Sequence, residues 1–253
     1  MVITNYFSGT SGLVLPVPNK THYPPEFCDK SRLCYYASLN NSIEVNSSFY
    51  KIPQARIVAK WAHEVPDDFK FTFKLWRGIT HEKGLTFNPA DVTRFMEAIA
   101  GAGLKKGCLL VQFPPSAKAT LMPPLQYLVS CITEADPDRA WQIAIELRHA
   151  SWYTDAVFEY AESNKLSIVL HDIPASATPL HYYDTADTVY LRFHGPGGKY
   201  RGSYADDVLH EYSSYIREWQ HEGKTVYVYF NNTMGDAVRN LKTLNAFVRQ
   251  GFI

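Results

Sequence analysis

Short apolar runs recur along this chain, and most of them end in a polar or charged residue. The runs are residues 6–10, 43–46, 71–74, 109–112, 143–148, 168–172, 189–194 and 226–231. Their ends lie about 32 residues apart on average, which is the length of one strand and one returning helix. Eight such units predict an α/β fold, a single (β/α)8 TIM-like barrel that comprises residues 1–253 as one domain.

Helical spacing of apolar residues fills most of the gaps between the runs. Helices are predicted over residues 55–64, 89–100, 155–164, 204–222 and 235–250. The sixth unit differs, because residues 173–179 are rich in proline and small side chains. We therefore expect its helix to be abbreviated to a loop.

Charge and composition narrow the classes of partner. Lys and Arg together number 25 and so do Asp and Glu, so no overall field attracts the protein to nucleic acid. The balance disfavours a nucleic-acid partner but does not exclude one, since a local basic patch would suffice. The sequence contains no apolar segment long enough to span a membrane and no basic, apolar leader at its N-terminus.

The cysteines indicate a reducing compartment. Cys28, Cys34, Cys108 and Cys131 form no CxxC or His-rich metal-binding spacing. Reduced thiols are typical of intracellular proteins, so we expect a cytoplasmic protein without a membrane partner. The sequence does not indicate an oligomeric state.

Strand parity places polar side chains in pairs at the strand ends. Side chains two residues apart share one face of a strand, and the pairs are Glu44 with Asn46, Glu146 with Arg148, Arg192 with His194, and Tyr229 with Asn231. Lys74, Gln112 and Asp172 end three further runs. Because the carboxyl ends of barrel strands meet at one face, these side chains are predicted to line one functional cavity.

These motifs together resemble a known family. The matching stretches are residues 9–12, 44–50, 71–74, 79–81, 110–115, 146–152, 190–195 and 229–232. In this order they are similar to the motifs of the YecE-like family, also called domain of unknown function 72. The resemblance implies a TIM-like barrel and implies no particular reaction.

The first loop departs from the family pattern. The family usually continues the Gly-Thr-Ser-Gly motif with Trp, whereas this chain has Leu13, followed by a shortened segment. The binding contribution of this loop is therefore expected to differ from that of relatives.

The charges of the predicted cavity favour an anionic ligand over a metal. Three carboxylates (Glu44, Glu146 and Asp172) face three cations (Lys74, Arg148 and Arg192). Cations compete with a divalent metal for carboxylates, but arginines can grip a carboxylate or phosphate with two hydrogen bonds. We predict no cofactor, with a divalent metal as the alternative.

Roles follow from side-chain chemistry. The predicted catalytic residues are His194, Asp172, Glu146 and Lys74. The predicted substrate-binding residues are Arg192, Arg148, Gln112, Glu44, Asn46, Asn231 and His81. His194 titrates near neutrality and precedes a glycine-rich loop, residues 195–198, while a desolvated Lys74 could act as a base or form a Schiff base.

The favoured hypothesis is an enzyme, a hydrolase, lyase or isomerase without redox chemistry. Its substrate would be a small anionic or phosphorylated molecule, with a sugar as one option. The alternatives are a metal-dependent hydrolase or isomerase of the xylose isomerase and endonuclease barrel type, and a non-catalytic binding protein for an anionic metabolite.

Overall fold

Parallel strands alternate with helices in the computed structural model, which describes residues 5–179 and 187–250. The strands are β1 (Tyr6–Thr10), β2 (Ser42–Val45), β3 (Lys70–Lys74), β4 (Lys106–Gln112), β5 (Gln142–Glu146), β6 (Ser167–Ile168), β7 (Leu170–His171), β8 (Thr188–Phe193) and β9 (Thr225–Phe230). The helices are α1 (Arg32–Leu39), α2 (Ser47–Tyr50), α3 (Ala55–His63), α4 (Arg77–Thr80), α5 (Pro89–Ile99), α6 (Met122–Ala135), α7 (Asp155–Ser163), α8 (Asp206–His221) and α9 (Ala237–Gln250).

The strands belong to two parallel sheets. One sheet has the order β1-β9-β8-β7 and the other the order β2-β3-β4-β5-β6 among the described residues. At one junction the main-chain N–H of Gly12, after β1, donates to the carbonyl of Glu44 in β2 over 2.7 Å. The sheet edges therefore meet where the carboxyl ends of β1 and β2 lie side by side.

The sixth apolar run joins the sheets at the other junction. It was predicted as one strand, but it forms two short ones, because successive residues bond to different neighbours. The N–H of Val169 donates to the carbonyl of Ile145 in β5, whereas Leu170 pairs with Leu191 in β8. One continuous segment thus contacts an edge strand of each sheet.

Every predicted apolar run contains a strand, and the predicted helices are confirmed to within two residues at each described end. Asn88 begins α5 by accepting a hydrogen bond from the N–H of Ala90. The patterns did not predict α1 and α6. In α6 the prolines lie in the first turn, where a helix tolerates them. Residues 173–179 contain a turn and no helix, and the rest of the predicted loop, residues 180–186, lies outside the described residues.

Alternate side chains divide the core into an outer and an inner layer. The outward side chains pack on the helices in two apolar clusters. The inward ones include Cys108, Leu110, Tyr190, Tyr227 and Tyr229, which form a separate buried cluster. The hydroxyl of Tyr229 hydrogen bonds to two further inward side chains, Ser42 at 2.6 Å and Thr72 at 2.8 Å. A layer of buried aromatic side chains, in which the Tyr229 hydroxyl is hydrogen bonded, thus lies beneath the strand ends.

Two findings bear on the environment of the chain. All four cysteines are free thiols. In the part of the chain that the structure describes, none of the helices combines the length and apolar character needed to cross a bilayer.

Close packing at Gly9 gives a test of this architecture. A Cβ atom at Gly9 would lie 2.0 Å from the carbonyl oxygen of Ser42 and 2.6 Å from the Tyr36 hydroxyl. Gly9→Ala should therefore lower the free energy of unfolding by about 1–3 kcal/mol, as overpacking of a core does. Urea denaturation measures this change in the free energy of unfolding. Gly197→Ala is the control, because a Cβ there meets nothing within 4 Å, and equal stability of the two variants would contradict the packing of β1 against β2.

Candidate active site

Arg192, near the end of β8, lies at the centre of a buried ion network. Its side chain is fully buried, as are the side chains of Glu44 and Glu146. Arg192 contacts Glu44 through Nε at 2.9 Å and Nη2 at 2.6 Å, and contacts Glu146 through Nη1 at 2.5 Å. Because Glu44 lies near the end of β2 and Glu146 ends β5, one guanidinium on β8 joins strands of both sheets.

All five N–H groups of Arg192 have acceptors. Besides the contacts to the two carboxylates, Nη2 lies 3.3 Å from Ser11 Oγ and Nη1 lies 3.2 Å from His194 Nε2. A guanidinium carries five donors, so none is left for a ligand. The structure places Arg192 in ion pairs, and its assignment to substrate binding stays a prediction.

Arg148 differs from Arg192, because it keeps donors free. It bonds to Glu146 through Nε at 2.5 Å and to the Tyr200 hydroxyl through Nη1 at 3.0 Å, and its Nη2 lies 3.3 Å from His194 Nε2. Its side chain is 11% exposed. Two of its N–H groups therefore have no acceptor within residues 5–179 and 187–250, and they lie at a position that solvent reaches.

His194 is held between these arginines, which fixes its tautomer. Guanidinium groups only donate hydrogen bonds, so His194 Nε2 accepts from Arg148 and Arg192 and the proton lies on Nδ1. Burial lowers the pKa of His194, although its contact with Asp172 and the charge of Glu146 act in the opposite direction. The imidazole is thus a neutral acceptor, and protonation at Nε2 would break both contacts.

Asp172 follows β7 and supports the end of β8. Its Oδ1 accepts the main-chain N–H of His194 at 2.8 Å, and its Oδ2 accepts the hydroxyl of Tyr204. The Nδ1 atom of His194 lies 3.4 Å from Oδ1 but has no aligned hydrogen-bond partner. The carboxylate of Asp172 therefore makes its aligned hydrogen bond to the backbone and not to the imidazole ring.

Lys74, at the end of β3, differs from the two arginines in its contacts and in its pKa. In the described part of the chain no carboxylate oxygen lies within 4.0 Å of its Nζ, which instead sits 4.0 Å from the centre of the Phe49 ring. Burial and the charge of Arg192 lower its pKa to about 8, against the attraction of Glu146 and Glu44. An amine with this pKa loses its proton close to neutral pH.

His81, after α4, lies on the same side as Lys74. Its ring centre is 4.9 Å from that of Phe49, and its Nδ1 is 2.8 Å from the Thr80 hydroxyl. Burial, followed by the positive charges of Lys74 and Arg77, lowers the pKa of His81 to about 4. His81 is therefore neutral at physiological pH and adds no charge to the site.

The predicted amide residues are less closely connected. The Nδ2 atom of Asn46 donates to Ser11 Oγ at 2.5 Å, so Asn46 reaches the network indirectly. Gln112, at the end of β4, donates to the carbonyl of Phe113 at 2.5 Å. Asn231 lies buried just after β9, where its main-chain N–H donates to the carbonyl of Phe193 over 2.7 Å. These contacts fix the positions of the three residues, but they do not indicate a chemical role for the amide groups.

The two glutamates remain ionised despite their burial. Burial alone raises the pKa of Glu146, but the charges of Arg192 and Arg148 outweigh it and hold the pKa well below its usual value. Burial alone likewise raises the pKa of Glu44. The charge and hydrogen bonds of Arg192 lower this pKa by more than burial raises it, so it lies below its usual value. Both carboxylates are therefore poor proton donors or acceptors near neutral pH.

Metal coordination was the alternative use of these carboxylates. Within residues 5–179 and 187–250, no three His, Cys, Asp or Glu side chains are grouped to hold one ion. The oxygens of Glu44 and Glu146 accept hydrogen bonds from arginines instead. The expectation of a site without a cofactor stays a prediction.

Three polar contributors were not among the predicted site residues. Ser11 donates to Glu44, and the hydroxyl of Tyr190 donates to the same carboxylate at 2.6 Å. Tyr190 has the parity of Arg192, a signal that could have identified it. Tyr200 carries a positive φ of 63° in the loop after β8, and no sequence pattern marks this strained backbone, which brings its hydroxyl to Arg148.

The fold and the strand-end network describe an α/β protein with parallel strands and a charged, buried site at their carboxyl ends. The family model described as "Protein of unknown function DUF72" matches residues 7–252, and the chain belongs to this family. The family predicted from the sequence is thereby confirmed.

Relatives agree with this assignment over most of the chain. The UPF0759 protein YunF of Bacillus subtilis (strain 168) is 29% identical over 255 residues, which cover 88% of each protein. A crystal structure of a DUF72 family protein from Enterococcus faecalis V583 is 25% identical, with a TM-score of 0.78 over 96% of this chain and 95% of that one.

A more distant structure bears on the fold alone. A GH18 chitinase from Pseudoalteromonas aurantia, a TIM-barrel protein, gives a TM-score of 0.50 at 10% identity over 96% of this chain and 98% of that one. An identity this low carries no information on activity.

The burial of Arg192 makes its structural role measurable. Arg192→Met leaves two buried carboxylates without their shared partner, which should cost about 3–5 kcal/mol of unfolding free energy in urea denaturation. Arg94→Met is the matched control, because Arg94 pairs with Asp91 on the surface with 62% exposure, and such pairs contribute about 0–1 kcal/mol.

A double variant separates charge from packing. Glu44→Gln together with Arg192→Met should recover part of the lost stability, because Glu146 still pairs with Arg148 and neither glutamate is left as an unpaired charge. If Arg192→Met is as mild as Arg94→Met, the arginine is not the centre of the network.

Proposed function

We propose that the protein is an enzyme that binds a small anion at the strand ends and uses the amine of Lys74 as its reactive basic group. The observation that carries this proposal is the contrast between Lys74 and the two buried arginine–glutamate pairs. Among the residues that the structure describes, no carboxylate lies within 4.0 Å of the Lys74 amine, and the pKa of Lys74 is about 8. Enzymes tune a lysine to about this range when it serves as a base.

The local charge supports an anionic ligand. The charges that act most strongly on Lys74 are those of Arg192, Arg148, Glu146 and Glu44, and the two glutamates are already paired with the two arginines. The Lys74 ammonium therefore has no carboxylate of this group to itself. A ligand with one negative group would balance its charge, and burial at the strand ends would strengthen the attraction.

Arg148 is the residue we assign to anion binding. It retains two N–H groups and partial exposure, whereas the donors of Arg192 are all engaged. A guanidinium can bind a carboxylate or phosphate with two parallel hydrogen bonds. Glu146 holds the Nε side of Arg148 and leaves the Nη atoms to face the ligand, so the carboxylate orients the arginine and does not transfer protons itself.

We further propose that the two sheets form one closed (β/α)8 barrel and one domain. The contacts at both sheet junctions and the guanidinium that joins β2, β5 and β8 support closure. The carboxyl ends then surround one site, which is where barrel enzymes carry their catalytic groups.

The test begins with a ligand screen. Phosphorylated and carboxylated metabolites, with inorganic phosphate as a reference, are screened for thermal stabilisation of the protein, since a ligand that binds the folded state raises its melting temperature. Arg148→Met should abolish the stabilisation by the best ligand. Arg77→Met is the matched control, because Arg77 is an exposed arginine that lies 6.0 Å from the ring of Phe49, which also contacts Lys74.

Turnover is measured on the same ligand. Lys74→Met should keep binding within about tenfold but lose at least about 100-fold in rate, the usual contribution of a proton-transferring side chain. Lys70→Met is its control, because Lys70 begins the same strand and bonds to the carbonyl of Leu104 at the opposite end. Binding without turnover by the unmodified protein would favour the non-catalytic binding protein, and turnover by Lys74→Met at the full rate would refute the role of Lys74.

A further inference from the structure

Lys74 combines three properties that together suit covalent chemistry. Its amine has no carboxylate partner among the described residues, and it is partly exposed at the end of β3. The ring of Phe49 covers one side of it at 4.0 Å. A paired lysine holds its proton in an ion pair, whereas this one is free to present a lone pair to a ligand.

The groups around Lys74 supply the other requirements of that chemistry. Lys74 ends β3 and Arg148 follows β5, two strands away in the same sheet, so both side chains lie at the carboxyl end of that sheet. The two remaining N–H groups of Arg148 suit an anionic substituent. Glu146 and Glu44 are both engaged by guanidinium groups and do not compete for the ligand. The site can therefore hold an anionic group beside a nucleophilic amine.

We infer that the substrate is a carbonyl compound that carries a carboxylate or phosphate, and that Lys74 forms an imine with its carbonyl carbon while Arg148 binds the anionic group. This inference rests on the proposed function and names its substrate class. A simple anion without a carbonyl would bind at the same place without reacting.

The step balances without any further reactant. The lone pair of the neutral Lys74 amine attacks the carbonyl carbon, and one of the two amine hydrogens moves to the carbonyl oxygen as a proton to give a carbinolamine. The hydroxyl group then leaves with the second amine hydrogen as water, and a carbon–nitrogen double bond remains. The imine draws electrons from the adjacent carbon, so a proton there becomes easier to remove.

Reductive trapping tests the inference directly. The protein is incubated with pyruvate or, in a separate arm, with dihydroxyacetone phosphate, and sodium borohydride is added, which delivers hydride to the imine carbon and leaves a stable secondary amine. Peptide mass spectrometry should locate the adduct at Lys74. The arm that gives more adduct distinguishes a carboxylate from a phosphate substrate.

Matched variants and probes make the result specific. Lys74→Met should lose the adduct and Lys70→Met should retain it. Methyl pyruvate has the same carbonyl without the negative charge, so its yield should be lower than that of pyruvate by at least about tenfold, and Arg148→Met should remove this preference.

Two outcomes would overturn the inference. One is labelling spread over surface lysines with no preference for Lys74. The other is the absence of any adduct with both probes while a ligand from the anion screen still stabilises the protein in an Arg148-dependent way. In that second case the proposed anion-binding function stands and only the imine is wrong.

Discussion

The buried charge of Arg192 is the constraint on which the rest of the site depends. A guanidinium removed from water is stable only when every donor is satisfied and its charge is balanced. Glu44 and Glu146 on one sheet, with Ser11 after β1 and His194 after β8 on the other, provide this. The strand ends are therefore held at fixed separations by ion pairs as well as by backbone hydrogen bonds. A site built on such a frame is preorganised before any ligand arrives.

The same constraint assigns the remaining groups their possible roles. Because Glu44 and Glu146 balance Arg192 and Arg148, neither carboxylate is free to act as a base. His194 is occupied as an acceptor between the two arginines. What remains, in the part of the chain that the structure describes, is the amine of Lys74 on β3 and two N–H groups of Arg148. The chemistry we propose uses these two groups, because the other charged side chains of the network already stabilise one another.

Sequence patterns predicted the strands and the inward set of polar residues, since both follow from the two-residue period of a strand and from the position of each strand end. These patterns could not show which charged side chains pair with one another. Arg192 and Arg148 look equivalent in sequence, yet one is saturated and the other is not, because pairing depends on which strands are neighbours. The split of the sixth strand and the positive φ of Tyr200 also depend on tertiary contacts. Asp172 ends an apolar run, as a catalytic residue would, but its carboxylate accepts a hydrogen bond from the main chain at the end of β8.

The role that we propose for Lys74 requires an amine with a depressed pKa in the resting protein. Its pKa can be measured by NMR from the chemical shift of the lysine side chain between pH 6 and 11, with Lys74→Arg used to assign the resonance. We expect a midpoint of about 8. A midpoint at the ordinary lysine value of 10.5 would show that the amine is solvated or paired, and it would rule out Lys74 as the reactive group.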